Sequence, residues 1–171
     1  IEELETALKI QPENPFFQFK LAELYADLGE TQAALTAIQC AVAGSPTDSF
    51  YHYWMGDLLI RMQRPKDALD AYRAAIELSP GDDFLYLRAS VAFARLGQYA
   101  EAVKAVRLAS DLDPEKLFYH GVMEQILRRM GLTAEADLER QKASKMDRYD
   151  EDLLVRYVKE AFREVTPPLA D

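Results

Sequence analysis

The stretch "PTDSFYHYWMGDLLIRMQRPKDALDAYRAAIELSP", from Pro46 to Pro80, is bounded by two prolines that stand 34 residues apart. The same step continues in both directions and gives four prolines without insertion or deletion: Pro12, Pro46, Pro80 and Pro114. Two alanine columns keep it as well: Ala34, Ala68, Ala102 and Ala136, then Ala41, Ala75, Ala109 and Ala143. A fixed period of this length indicates an internal structural repeat.

Each unit of this repeat reads as two helices and two turns. Apolar residues recur at helical spacing, as in Leu21, Leu24, Tyr25 and Leu28. One turn has glycine in three units of four, Gly29, Gly97 and Gly131, and Gln63 at the equivalent position of the second unit. The other turn contains the proline. Alanine where two helices cross allows the close approach of the helix axes that packing requires.

These residues resemble the tetratricopeptide repeat family, whose pattern has Trp, Leu-Gly and Tyr on the first helix, and Ala, an aromatic residue, Ala and Pro on the second. The second unit supplies Met55-Gly56, Leu59, Ala68, Tyr72, Ala75 and Pro80. The usual Trp is replaced throughout, by Gln18, His52, Tyr86 and His120. The resemblance implies an all-α, right-handed superhelical solenoid of antiparallel helix pairs, ending in a C-terminal capping helix, with a concave groove for partner proteins.

The step predicts the domain organisation along the chain. We expect the second helix of a truncated repeat at 1–14, repeats at 15–48, 49–82 and 83–116, a degenerate repeat at 117–150, a capping helix at 151–165 and a linker at 166–171. The fourth repeat is degenerate because Glu124, Arg140 and Arg148 occupy slots that are small, aromatic and proline in the family. The sequence starts without Met inside an amphipathic pattern, so we expect a longer protein, which leaves room for an upstream signal peptide.

Composition limits the functional class. A chain of 171 residues that is 49% hydrophobic and 29% charged is typical of a folded protein, and a net charge of -9 argues against nucleic-acid or membrane-surface binding. Residues 1–50 alone contribute eight acidic and two basic side chains. Cys40 is the only cysteine, which excludes a disulfide framework and favours a reducing, cytoplasmic compartment. We expect Cys40 to be buried among apolar neighbours.

A phenylalanine column is the main functional signal. Since successive helix residues turn by 100°, one column packs against neighbouring helices: Phe17, Tyr51, Leu85 and Tyr119. The other falls on the face that lines the groove in the family: Phe16, Phe50, Phe84 and Phe118. Four further apolar residues extend it: Phe19, Tyr53, Trp54 and Leu87. We expect a partly accessible aromatic groove; the alternative is that the rings pack beneath the turns between repeats.

Charged residues complete the predicted groove. Asp57 and Arg88 lie on its face, and a column of bases follows at Arg61, Arg95 and Arg129. A partner with apolar anchors and acidic groups would suit these side chains. The alternative is structural, because a base near a helix C-terminus is favoured by the helix dipole.

No catalytic motif accompanies the repeat, and we expect no enzymatic activity, cofactor or metal in this segment. His52 and His120 are expected to pack in the Trp slots. The family's carboxylate clamp for chaperone tails is disfavoured, because Phe19, Tyr53 and Leu87 stand where it needs Lys.

The sequence therefore predicts a protein-interaction scaffold. One alternative is a regulatory or substrate-presenting module of a larger enzyme, such as the glycosyltransferases that carry these repeats. A further alternative is self-association through the open N-terminal helix, whose apolar residues are Leu4, Ala7, Leu8 and Ile10.

Overall fold

The computed structural model describes residues 2–162, and all regular structure in that range is helical. The α-helices of this range are α1 (Glu2–Ile10), α2 (Pro15–Asp27), α3 (Thr31–Gly44), α4 (Ser49–Arg61), α5 (Pro65–Leu78), α6 (Asp83–Arg95), α7 (Tyr99–Leu112), α8 (Phe118–Arg129), α9 (Thr133–Lys142) and α10 (Arg148–Ala161). A short 3-10 helix, Ala143–Lys145, precedes α10. The predicted all-α fold class is confirmed.

The chain forms two compact units, residues 1–89 and 90–171, called unit 1 and unit 2. In unit 1, α2 packs against α3, α4 against α5, α3 against α4, and α1 against α2. In unit 2, α8 packs against both α7 and α9, and α10 packs against α8. Sequential helices thus pair as the repeat predicts. The predicted capping helix begins earlier, at Arg148, and its predicted end at Val165 and the linker lie outside the described residues.

The glycine turns between paired helices need a left-handed backbone. Gly29, Gly97 and Gly131 have φ values of 81°, 71° and 77°, and Gln63 takes the same conformation at 59°. The following residue donates its backbone N–H to a carbonyl five positions back, as Glu30 does to Tyr25 at 2.8 Å. This bond satisfies a free carbonyl at the helix end, and only glycine adopts the conformation without strain.

The proline turns between repeats hold the start of each first helix. Three cap side chains accept a backbone N–H from the phenylalanine two residues on: Asn14 from Phe16 at 3.1 Å, Asp48 from Phe50 at 3.0 Å, and Asp82 from Phe84 at 3.0 Å. Residues in the usual Trp slot contact the proline carbonyl: Gln18 to Pro12 at 2.8 Å, His52 to Pro46 at 2.9 Å, and Tyr86 to Pro80 at 3.0 Å. Polar contacts, in addition to packing, therefore replace the missing Trp.

The two alanine columns lie in the core, since all eight side chains are buried. Cys40 was expected to be buried as well, and that expectation was wrong because the cysteine is exposed. On α3 the buried face contains Ala37, Ile38 and Ala41, and the turn of 100° per residue puts Cys40 on the opposite side with the exposed Gln39.

Candidate functional site

Six aromatic side chains on the first helices of unit 1 make up what we call the aromatic strip, and five of them, all but Phe16, are connected by ring contacts. They come from α2, α4 and α6: Phe16, Phe19, Phe50, Tyr53, Trp54 and Phe84. Ring centroids are 5.0 Å apart for Phe19 and Phe50, 6.1 Å for Phe50 and Tyr53, and 5.6 Å for Tyr53 and Phe84. Trp54 meets Phe19 edge-on at 5.5 Å. The 34-residue step thus brings equivalent residues of three repeats into one continuous surface.

Three rings of the strip are accessible. Phe16, Phe50 and Phe84 are 52%, 46% and 43% exposed, and Tyr53 and Trp54 are half-buried. This accessibility is what a docking surface requires. It does not fit the alternative in which the rings pack beneath the turns.

Two residues expected to be accessible in unit 1 are buried instead. Phe19 is enclosed by the rings of Phe50, Tyr51 and Trp54, which lie on the next repeat. Leu87 is buried on α6, where Leu85 and Ala89 are buried too, because this part of the helix is covered on more than one face. Phe19 forms the floor of the strip, and the accessible rings end at Phe84.

The first repeat places its own cation on the strip. Lys20 Nζ lies 5.8 Å from the Phe16 ring centroid and 5.3 Å from that of Phe19. The same ammonium group pairs with Glu23 at 2.8 Å. A cation over an aromatic face is attracted by the negative charge of the ring face.

Asp57 and Arg88 are paired with each other. Arg88 Nε donates to Asp57 Oδ1 at 2.8 Å, and the buried Tyr72 hydroxyl donates to the same oxygen at 2.6 Å. Burial, followed by the Asp57 charge, raises the pKa of Tyr72 well above its ordinary value, so the hydroxyl remains a donor. The Arg88 side chain is only 12% exposed. This network ties α4, α5 and α6 together within unit 1.

Two arginines of the column, Arg61 and Arg95, contact the ends of other helices. Arg61 donates to the backbone carbonyl of Ala26 at 3.0 Å, in the last turn of α2. In unit 2, Arg95 Nε donates to the carbonyl of Glu160 at 2.8 Å, in the last turn of α10. These contacts favour the structural alternative, in which a cation stabilises a helix C-terminus.

In unit 2 the C-terminal helix covers the face predicted to line the groove. The Arg129 guanidinium lies 3.6 Å from the ring centroid of Phe162, directly after α10. A Cβ atom at Gly121 would stand 2.9 Å from Leu154 of α10, so a side chain as large as Phe19 or Tyr53 would not fit beneath this helix. Gly121 occupies the position that Phe19 and Tyr53 occupy in the first two repeats. The missing side chain at this position is the feature of the sequence that could have indicated that another helix packs there.

Phe118 was expected to be accessible, and that expectation was wrong because the ring is only 4% exposed. The side-chain cap of the earlier repeats is missing here, because the position equivalent to Asp82 is Lys116. Leu117 then takes helical dihedral angles, φ -60° and ψ -22°, and the chain joins α8 by a different turn. The ring packs beside Tyr119, with centroids 5.4 Å apart.

His120 makes a polar contact in addition to packing in the Trp slot. Its Nδ1 lies 2.7 Å from a Glu139 carboxylate oxygen, and Lys142 donates to the other oxygen at 2.9 Å. Burial opposes ionisation of Glu139, but these two partners outweigh it and hold the pKa of Glu139 below its ordinary value. The group joins α8 to α9.

Among the side chains that the structure describes, no group of three or more His, Cys, Asp or Glu could hold a metal ion. No helix in the described part of the chain combines the length and apolar character needed to cross a bilayer.

Comparison with known proteins agrees with this architecture. Solved structures of MamA are similar: one has 21% identity, a TM-score of 0.77, and covers 90% of this chain and 88% of its own. Another, MamA 41-end from Desulfovibrio magneticus RS-1, has 23% identity and a TM-score of 0.77, covering 85% of this chain and 82% of its own. At this identity the likeness shows the fold alone.

The sequence matches no curated protein. A family model described as tetratricopeptide repeat matches residues 1–49 and 53–116, which is more than half of the chain. The chain therefore belongs to the tetratricopeptide repeat family.

Proposed function

We propose that this chain is a protein-interaction scaffold, and that the aromatic strip of unit 1 binds a segment of a partner protein. The tetratricopeptide repeat fold supports a role in protein interaction. The observation that carries the location is the accessibility of the rings of Phe16, Phe50 and Phe84, of which Phe50 contacts Phe19 and is joined to Phe84 through Tyr53. A contiguous exposed apolar surface usually marks an interaction site.

Phe50 is the expected main anchor. Its ring contacts Phe19, Tyr51 and Tyr53, so it is the most central of the accessible rings. Central aromatic side chains commonly contribute most of the binding free energy at an interface. The equivalent face of unit 2 is occupied by α10, and the proposed site is therefore confined to unit 1.

We propose no catalytic role for the described residues. The repeat boundaries given by the 34-residue step, at 15–48, 49–82, 83–116 and 117–150, remain proposals, as does a cytoplasmic location. They are supported by the periodicity of the sequence and by its single cysteine.

The test is capture of partners from a lysate of the source cells, followed by titration of the purified partner. Phe50→Ala should weaken binding by about 2 kcal/mol or more while far-UV circular dichroism stays unchanged. The matched control is Leu108→Ala, which removes an equally exposed apolar side chain from α7. Trp54 is the only tryptophan, so its fluorescence should shift on binding. A partner that loses affinity equally with both variants would overturn the location.

Self-association through α1 is a second candidate. Ile10 is exposed at the end of this helix, whereas Leu4, Ala7 and Leu8 are half-buried. Sedimentation equilibrium over a wide concentration range should show a dimer that Ile10→Asp disrupts. A monomer throughout that range would exclude this idea.

A further inference from the structure

We propose that the partner segment is basic, and that two of its Lys or Arg side chains lie over Phe50 and Phe84, each beside an aspartate of this chain. The inference rests on the proposed function of the aromatic strip and adds the chemistry of its ligand. It differs from the acidic partner that the sequence suggested.

The first repeat shows the arrangement in a self-contained form. Lys20 places its ammonium group over the rings of Phe16 and Phe19, at 5.8 and 5.3 Å from the centroids. The cap residue of this repeat is the neutral Asn14. A ring that receives a cation from its own helix thus stands next to an uncharged cap.

The second and third repeats lack that cation. The slot of Lys20 contains Trp54 in the second repeat and Arg88 in the third, and Arg88 is held by Asp57. Among the described residues no lysine or arginine lies over Phe50 or Phe84. Phe50 and Phe84 are 46% and 43% exposed, so both rings are accessible to a cation from another molecule.

The same two repeats supply negative charge beside the rings. Their caps are aspartates, and Asp48 Oδ1 and Asp82 Oδ1 each lie 3.0 Å from the backbone nitrogen of the adjacent phenylalanine, Phe50 or Phe84. Each carboxylate lies at the start of the helix that carries the exposed ring, so a basic segment on the strip is attracted by the carboxylate and by the aromatic face.

The wider charge distribution also favours a basic ligand. Residues 1–89 contain 14 acidic and seven basic side chains, so unit 1 has a formal charge of -7 of the total of -9. Arg61, on the same helix as Phe50, donates to the Ala26 carbonyl, and Lys20 pairs with Glu23. An acidic segment would face a repulsive field with few available cations, whereas a basic segment is attracted.

One short segment can reach both positions, because Phe50 and Phe84 each contact the Tyr53 ring, at 6.1 and 5.6 Å. Tyr53 between them offers an apolar contact. The expected ligand has two basic residues separated by a few residues, with an apolar or aromatic side chain among them.

Selection from a random 12-residue peptide library displayed on phage tests this chemistry directly. The full chain is the target, and peptides are kept only when Phe50→Ala and Phe84→Ala both abolish their binding. We expect these peptides to be enriched in Lys and Arg together with apolar residues. Strip-dependent peptides that are neutral or acidic would overturn the inference and leave the proposed function standing. No strip-dependent peptide at all would overturn the proposed function.

An isosteric double variant then tests whether the two cap aspartates attract the cations of the peptide. Asp48→Asn with Asp82→Asn keeps the caps, since asparagine caps equally well and Asn14 already does so in the first repeat. The matched control, Asp67→Asn with Asp70→Asn, removes the same charge from exposed positions on α5.

A selected dibasic synthetic peptide should lose about tenfold in affinity with the cap variant at low salt, and much less at 0.5 M salt. The control should change affinity by less than about twofold. Equal losses with the two variants would show a general field effect and overturn the placement of cations beside Phe50 and Phe84.

Discussion

Gly56 and Gly121 lie in first helices, and adding one methyl group to each should have opposite consequences. A Cβ atom at Gly56 would overlap the Tyr72 ring, with Cδ1 at 2.7 Å and Cζ at 2.9 Å. At Gly121 the nearest atoms are ends of flexible side chains, Leu154 Cδ2 at 2.9 Å and Met146 Cε at 3.2 Å. The structure therefore predicts that Gly56→Ala is damaging and that Gly121→Ala is tolerated.

The change in the free energy of unfolding depends on whether the neighbouring side chain can move away from the added methyl group. Alanine in a helix gains about 1 kcal/mol over glycine. At Gly56 that gain is exceeded, because overpacking costs about 1–3 kcal/mol and any movement of the ring weakens the Tyr72–Asp57 hydrogen bond, which is worth about 1.5–3 kcal/mol. We expect a net destabilisation of about 2 kcal/mol or more. For Gly121→Ala the helix gain and the tighter contacts nearly cancel, within about 1 kcal/mol.

Urea unfolding followed by Trp54 fluorescence measures the free energy of unfolding of Gly56→Ala, since Trp54 lies on the same helix as Gly56. Hydrogen exchange of peptides from α8 and α10 measures the second, because damage in a repeat protein stays local. A Gly56→Ala protein as stable as the wild type, or less affected than Gly121→Ala, would refute the close packing of Tyr72 against α4.

Two further stability predictions concern the repeat itself. Ala75→Leu or Ala109→Leu, at fully buried helix crossings, should each destabilise the protein by about 1–3 kcal/mol in urea unfolding, and neutrality at both sites would contradict the packing. Gln63→Gly should raise stability by about 1 kcal/mol because it relieves the positive φ of 59°, whereas Gln98→Gly, at φ -84°, should not; thermal unfolding that ranks them the other way would contradict this reasoning.

The fold could be predicted from the sequence because its turn residues and its helix-packing residues all repeat with the same 34-residue period. Prolines, alanines and glycines recur together, so the helix pairs and their turns are determined many times over. The start of α10 at Arg148 was missed by three residues. A proline would have marked this turn, but Arg148 occupies the proline slot, and Asp147 supplies the cap instead.

The candidate site could be predicted only in part. The helical period separates Phe16 from Phe17 correctly, but Phe16 and Phe19 lie on neighbouring faces, and only the next repeat decides which ring is covered. The roles of the arginines were beyond the sequence, since Arg61 and Arg95 bind backbone carbonyls. Any residue can offer a carbonyl, so no side chain in the sequence identifies such a partner.

The positions at which the repeats differ from one another indicate the function, whereas the pattern that they share indicates only the fold. Where the cap changes from Asp82 to Lys116, the next phenylalanine is buried; where the strip residue becomes Gly121, the chain's own α10 approaches. Where Lys20 supplies a cation, the neighbouring cap is neutral. Each of these three substitutions accompanies a local change at its own repeat, in the burial of a ring, in the approach of a helix or in the source of a cation. In the second and third repeats no described residue supplies a cation to Phe50 or Phe84, and their aspartate caps make a basic partner segment the complementary ligand.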